Sequence, residues 1–260
     1  MEYLKYVLIG FAGGTLSGLL GIGGGFIVIP ALIYFTNTGA KQATAISMVQ
    51  IFFASASGTL FNYLKKTLRI KYALYFGIAS MGFTFAGSYL TKYFSDATIK
   101  IIYLFAVILS LSLFVLRLYR EKKANSAQSC NIEDAAIVKR NLFKAIPLGM
   151  VAGFLGGILG VGGGFLYVPL LVFFLDIPLK VAVGTSLMII LINSIPGIIG
   201  KIISVEFNYI TALIIAASSV AGARLGTYIN HKVKPIIIRV VFIIMLLVII
   251  GRVSFDLAGF

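Results

Sequence analysis

The sequence predicts an all-α polytopic membrane protein made of two homologous four-segment repeats. Three observations carry this. Of 260 residues, 60% are apolar and only 12% charged, with a mean hydropathy of +1.04, whereas a soluble domain is roughly a quarter charged. Apolar tracts of about the 20 residues that a helical span needs recur along the whole chain. These tracts fall into two sets of four, on either side of one substantial polar stretch at 119–144.

The first segment, 3–36, follows Met1-Glu2-Tyr3-Leu4-Lys5, which lacks a basic leader, and its apolar run continues past signal-peptide length; it reads as an uncleaved membrane segment. Segment 42–64 ends at Lys65, Lys66, Arg69 and Lys71, from which 70–91 leads off; 98–118 ends at Arg117, Arg120, Lys122 and Lys123. In the second set, 145–176 and 180–202 are followed by 207–230, which ends at Lys232 and Lys234, and by 235–257. No segment alternates with the period of two of a membrane barrel strand, so all are helical. Segments 3–36 and 145–176 would each be about 50 Å long as straight helices, against a hydrocarbon core of about 30 Å. Each also holds a glycine cluster, and each glycine costs about 1 kcal/mol relative to alanine in a helix. Each is therefore read as broken, and its excess length favours a re-entrant hairpin over a single pass.

The two halves match one another. Residues 10–35 (GFAGGTLSGLLGIGGGFIVIPALIYF) and 149–174 (GMVAGFLGGILGVGGGFLYVPLLVFF) are identical at thirteen of 26 positions, at a constant offset of 139. Lys41, Ala43, Ser47, Ser55 and Gly58 then align with Lys180, Ala182, Ser186, Ser194 and Gly197; after a four-residue shift, Ala86, Gly87, Leu90 and Tyr93 align with Ala221, Gly222, Leu225 and Tyr228. The expected organisation is a membrane repeat at 1–118, a basic cytosolic linker at 119–144 and a second membrane repeat at 145–260. Internal repeats are a common construction of secondary transporters.

These residues resemble the TauE/SafE family, also called the sulfite-exporter or TSUP family. The resemblance spans nearly the whole chain and rests on the duplicated glycine-rich openings (Gly18 to Pro30, Gly157 to Pro169), the A-x-G-T-S-L of Ala182 to Leu187 and the G-A-x-x-G of Gly222 to Gly226. The first half departs from it, with Ala45-Ile46-Ser47 where the second has Gly184-Thr185-Ser186. The resemblance implies a transporter of sulfite, organosulfonates or other sulfur-containing anions, sited in the cell membrane.

The net charge of +14 does not indicate nucleic-acid binding, because the basic residues sit where apolar runs end, the positive-inside pattern. Both a parallel eight-span topology and an inverted topology with re-entrant openings put 65–71 and 119–144 in the cytosol. Cys130 is the single cysteine, which excludes internal disulfides. His231, beside Lys232, reads as a solvated loop residue. Acids lie near segment ends, no paired intramembrane acids or His-based nucleophile site is present, and no ligand cluster suggests a metal. No catalytic residue, metal or cofactor is expected, and the protein is read as no enzyme. The expected partners are a small anion and the lipid bilayer. Homo-oligomerisation is compatible with the sequence but not required by it, and a non-transporting structural membrane protein is the alternative.

The G-I-G-G-G at 21–25 and G-V-G-G-G at 160–164 superficially resemble a dinucleotide fingerprint, but no acid follows at the required spacing. Gly10, Gly14 and Gly18, with Gly149, Gly153 and Gly157, are spaced for close helix packing. Consecutive glycines cover every face, so Gly23, Gly24 and Gly25 and Gly162, Gly163 and Gly164 suit an unwound stretch leading into half-helices at Phe26 and Phe165. A helix N-terminus binds anions without a cationic side chain. Polar groups within apolar spans complete the candidate substrate site: Gln50, Thr185, Ser186, Asn193 and Arg224. On this reading Gly24→Val and Gly163→Val should insert and express yet lose anion binding, and Gly14→Ala should retain it.

Overall fold

A computed structural model describes the backbone of residues 2–123 and 135–257. The middle of the basic linker, with Cys130, lies outside the described residues. Ten α-helices are described: α1 (Glu2–Leu20), α2 (Gly25–Thr36), α3 (Ala40–Leu64), α4 (Ile70–Leu90), α5 (Asp96–Lys123), α6 (Ala135–Leu159), α7 (Gly164–Phe174), α8 (Leu179–Ser204), α9 (Tyr209–Lys232) and α10 (Pro235–Leu257). Seven described helices are long and apolar enough to cross a membrane. α2 and α7 are short because glycine-rich breaks precede them.

At each break the chain turns back. Gly21, Gly23 and Gly24 have φ of +73°, +81° and +81°, and Gly160, Gly162 and Gly163 have +67°, +63° and +76°, the left-handed region that only glycine enters freely. In a straight helix Gly13 and Val28 would lie about 22 Å apart at 1.5 Å per residue. Here they pack in direct contact. Likewise the Tyr167 hydroxyl donates to the Gly149 carbonyl at 3.2 Å, across eighteen residues. Both opening segments are hairpins of a long and a short helix.

Pro30 and Pro169 sit inside α2 and α7, where each leaves the carbonyl four residues earlier without its helical donor. Helix α5 supplies both donors: Tyr103 Oη to Phe26 O at 2.6 Å and Ser110 Oγ to Phe165 O at 2.7 Å. Asp96, in the first turn of α5, accepts from the Ala40 and Lys41 amides, both at 3.1 Å, and so caps α3. Asn208 caps α9.

The small residues foreseen as packing stripes draw the long helices together. A Cβ at Gly14 would overlap the Ser219 carbonyl and one at Gly18 the Ala223 carbonyl; at Gly157 it would overlap the Thr84 carbonyl. Thus α1 lies along α9 and α6 along α4, each pair parallel. Helices α3 and α8 cross antiparallel, with Met48 against Gly197, Gly58 against Leu187 and Asn62 against Gly184. The packing is reciprocal: the opening helix of each half lies on the third segment of the other.

This reciprocity corrects the alignment of those third segments. Gly87 packs on the Phe154 carbonyl and Ile158 amide, and Gly226 on the Thr15 carbonyl and Leu19 amide. Thr91 donates to Ile158 O and Asn230 to Leu19 O. All these pairs differ by 139, so Gly87 corresponds to Gly226 and not to Gly222. Small residues repeat every fourth position in both helices, so a one-turn slip scores as well in sequence while only one register packs.

Candidate functional site at the paired glycine breaks

The two breaks meet at the centre of the bundle. A methyl placed on Gly23 would lie 3.1 Å from Ile51 Cγ2 and 3.3 Å from Ile190 Cγ2; on Gly162 it would lie 2.9 Å from Ile190 Cγ2 and 3.4 Å from Ile51 Cγ2. Ile51 and Ile190 themselves differ by 139. The start of each short helix abuts the opposite break, Gly25 against Val161 and Gly164 against Ile22. The Phe26 and Phe165 rings pack at 4.5 Å between centroids, inclined by 44°.

Two serines lock this arrangement across the halves. Ser47 Oγ donates to Gly160 O at 2.8 Å, and Ser186 Oγ donates to Gly21 O at 2.7 Å. Carbonyls that the unwound stretches would leave bare in an apolar interior are thereby satisfied. The N-termini differ: Gly24 and Gly163 are glycine N-caps with no side-chain hydrogen bond. Among the described residues, the first-turn amides of Gly25, Phe26, Gly164 and Phe165 have no backbone acceptor. Two sets of amide donors, each with the partial positive charge of a helix start, therefore begin at breaks that both pack on Ile51 and Ile190 in the buried interior.

The remaining candidate residues divide. Gln50 is fully buried beside Gly24, where a methyl would lie 3.1 Å from Gln50 Nε2, and neither Nε2 nor Oε1 has a hydrogen-bond partner. Asn193 is engaged at both ends: its Nδ2 donates to Ser80 Oγ and Tyr167 Oη, both at 2.8 Å, and its Oδ1 lies 3.1 Å from Ser80 Oγ, whose single proton is shared with Phe76 O. Thr185 is not at the breaks. It bonds Val181 O at 2.7 Å and accepts the Arg69 amide at 3.2 Å, fixing the turn before α4. Arg224 does not join the site either; it is exposed on the outer face of α9, in a groove with Phe61, Val220 and Tyr228. Its helix turns Gly222, Ala223 and Gly226 inward against α1, which forces position 224 outward. His231 is half-buried in the last turn of α9, 3.2 Å from Asn62 Oδ1, rather than a solvated loop residue.

The family profile described as Sulfite exporter TauE/SafE matches residues 6–253. The chain belongs to the TauE/SafE family. It is similar to the probable membrane transporter protein YunE of Bacillus subtilis, 31% identical over 96% of both chains. It is also 30% identical to a probable membrane transporter protein of Methanocaldococcus jannaschii, over 90% of this chain and 88% of that one. A third relative, the probable membrane transporter protein YdhB of Bacillus subtilis, is 25% identical over 90% of this chain and 92% of its own. No solved structure matches the chain. This TauE/SafE protein is thus a multi-pass membrane transporter.

Sequence reasoning missed one charged residue of this family member. Lys201, in the last turn of α8, is fully buried. Its Nζ donates to Thr44 Oγ1 at 2.9 Å, Thr91 Oγ1 at 2.7 Å and Ile158 O at 2.8 Å, the last a carbonyl at the C-terminal end of α6 just before the second break. Its presence inside an apolar segment was a signal, since intramembrane charge is a functional candidate by default. Tyr103 and Ser110 carried no signal, because their task is set by prolines on other helices. Among the described residues no group of three His, Cys, Asp or Glu could hold a metal.

Proposed function

We propose that this transporter carries a small anion, an oxidised-sulfur species such as sulfite or an organosulfonate, across the cell membrane, and that the anion is held between the two glycine breaks. The backbone donors are those of Gly23, Gly24, Gly25 and Phe26 and of Gly162, Gly163, Gly164 and Phe165, with Gln50 as the side-chain contact. The observation that carries the proposal is the convergence of two uncapped helix N-termini on one buried region. Such termini replace the hydration of an oxyanion in discontinuous helices of other transporters. Ser186, Asn193 and Thr185 support the site through the bonds described above, and Arg224 takes no part.

The proposed membrane placement is an inverted pair of repeats, 1–118 and 145–260, each opening with a re-entrant hairpin. The antiparallel crossing of α3 and α8 supports inversion. Lys65, Lys66 and Arg69 gather with Lys180 and Lys232 at one end of the bundle, while Asp96 and Glu206 share the other with Lys41 and Lys92. By the positive-inside rule the first end is cytosolic, and the linker 119–144 lies on that side. Counterflow into liposomes holding the purified protein tests the proposal, with sulfite, thiosulfate, sulfate, taurine and simple carboxylates as the panel. Uptake of an oxidised-sulfur anion is the expected result. Uptake of none of them, with the protein folded, overturns it.

A further inference from the structure

The two breaks are equivalent in backbone but not in side chains, and the difference says which anion fits. In the second half Asn193 bridges Ser80 and Tyr167 beside the short helix, and Tyr167 gives its own proton to Gly149 O. In the first half the position of Tyr167 is Val28, and that of Ser80 is Ser219, whose hydroxyl bonds Ala216 O at 2.7 Å and the Gln50 backbone carbonyl at 3.4 Å. Nothing there reaches the Gln50 carboxamide. A fully buried amide with both ends unpaired costs stability, and membrane interiors offer no water to relieve it. Such a group beside an uncapped helix start is an incomplete binding shell.

The missing partner must satisfy both ends of the amide. Nε2 needs an acceptor, and so do the amides of Gly25 and Phe26; any oxyanion supplies one. Oε1 needs a donor hydrogen, which a fully ionised oxyanion does not have. The walls are Ile51, Ile190, Phe26 and Phe165. Among the described residues the one fully buried charged side chain is Lys201, already held by three oxygens. With no free cation to offset it, a second charge on the ligand is costly, because the desolvation penalty grows with the square of charge.

Building on the anion-transport reading, we infer that the site is one-sided, with Gln50 as its selectivity residue, and that it takes a singly charged oxyanion bearing a hydroxyl or ammonium hydrogen. Hydrogen sulfite and hydroxy- or amino-substituted sulfonates share this chemistry.

The test compares 2-hydroxyethanesulfonate with ethanesulfonate, alike in charge and close in size, in proteoliposomes of wild type, Gln50→Leu and Tyr167→Phe. Wild type should half-saturate at about tenfold lower concentration with the hydroxylated anion, the difference made by leaving a buried acceptor unpaired. Gln50→Leu should abolish that preference and raise the melting temperature of the ligand-free protein, whereas a structural glutamine would lower it. Tyr167→Phe should lower the melting temperature and keep the preference. Sulfite counterflow at pH 6 and pH 8 separates the sources: uptake that falls from pH 6 to pH 8 assigns hydrogen sulfite, no sulfite uptake at either pH assigns the substituted sulfonates, and uptake independent of pH overturns the inference, because the dianion is then carried as well. If wild type moves the anions with no hydroxyl preference, or Gln50→Leu keeps it, the inference falls alone. If wild type moves neither sulfonate nor sulfite, the transport reading falls with it.

Discussion

One added methyl group, placed at successive positions of the first break, separates what the fold requires from what the anion requires. Gly23 and Gly24 both have φ of +81°, so alanine at either costs about 1–2 kcal/mol in backbone strain. At Gly23 the atoms nearest the methyl are side-chain carbons of Ile51 and Ile190, from 3.1 Å, and side chains can shift by a few tenths of an ångström. The total loss should therefore stay near about 1–2 kcal/mol. At Gly24 the methyl overlaps the Gly13 carbonyl, a backbone atom of α1 that cannot turn aside. Overpacking adds about 1–3 kcal/mol there, a large part of the total stability of a small protein. Gly82, with nothing within 4 Å, is the control, and alanine there should gain about 0.5–1 kcal/mol. Equilibrium unfolding in lipid micelles should rank the variants Gly82→Ala, wild type, Gly23→Ala, Gly24→Ala in falling stability. In liposomes Gly23→Ala should remain folded and show a raised half-saturation concentration. Unchanged half-saturation in folded Gly23→Ala would remove the first break from the anion path. Equal stability of Gly23→Ala and Gly24→Ala would refute the packing of α2 on α1. The same overlap makes Gly24→Val a folding variant rather than the binding probe that the sequence suggested, and Gly14→Ala, driven into the Ser219 carbonyl, should likewise lose the α1–α9 contact.

Ser47→Ala and Ser186→Ala should each lower stability by about 0.6–1.7 kcal/mol, the range of hydrogen bonds between membrane helices; a double variant no less stable than wild type in the same unfolding assay would show that the serines do not pin the breaks. Lys201→Met should hold stability within about 1 kcal/mol of wild type, since replacing a buried charge by an apolar chain of similar length is often neutral and Thr44 can keep its bond to Lys41 O. A larger loss on denaturation would make the ammonium a required cap of α6. In a Cys130→Ser background, a cysteine at Lys66 should react with an impermeant maleimide only after cells are opened, and one at Gln42 in intact cells. The reverse pattern would invert the proposed orientation.

The elements, the break positions and the twofold character of the chain were legible in the sequence because each depends on local composition. Apolar runs of span length specify helices, and consecutive glycines end them. The match of residues 10–35 to 149–174 needs only linear comparison. The site was legible in part. Gly23 and Gly162 were placed in the breaks, because their residue type itself permits the backbone they adopt. The roles of the polar residues were not, since a hydroxyl or amide acquires its task from whatever lies across the interface. Ser47 and Ser186 became pins of the opposite half, Thr185 a support of a turn, and Arg224 an outward-facing residue.

Gln50 and Asn193 mark the boundary between the two kinds of information. By sequence they are near twins, amides one helical turn apart in aligned segments. The sequence determined that both are polar groups buried in apolar spans, because helix periodicity and segment length leave them nowhere else to go. Only the tertiary structure decided that Asn193 is satisfied by Ser80 and Tyr167, from α4 and α7, while Gln50 is left with two open valences beside an uncapped helix. A hydrogen bond forms within about 3 Å of its partner. Partners 113 and 26 residues away along the chain are brought to that distance by the packing of whole helices, not by any local pattern.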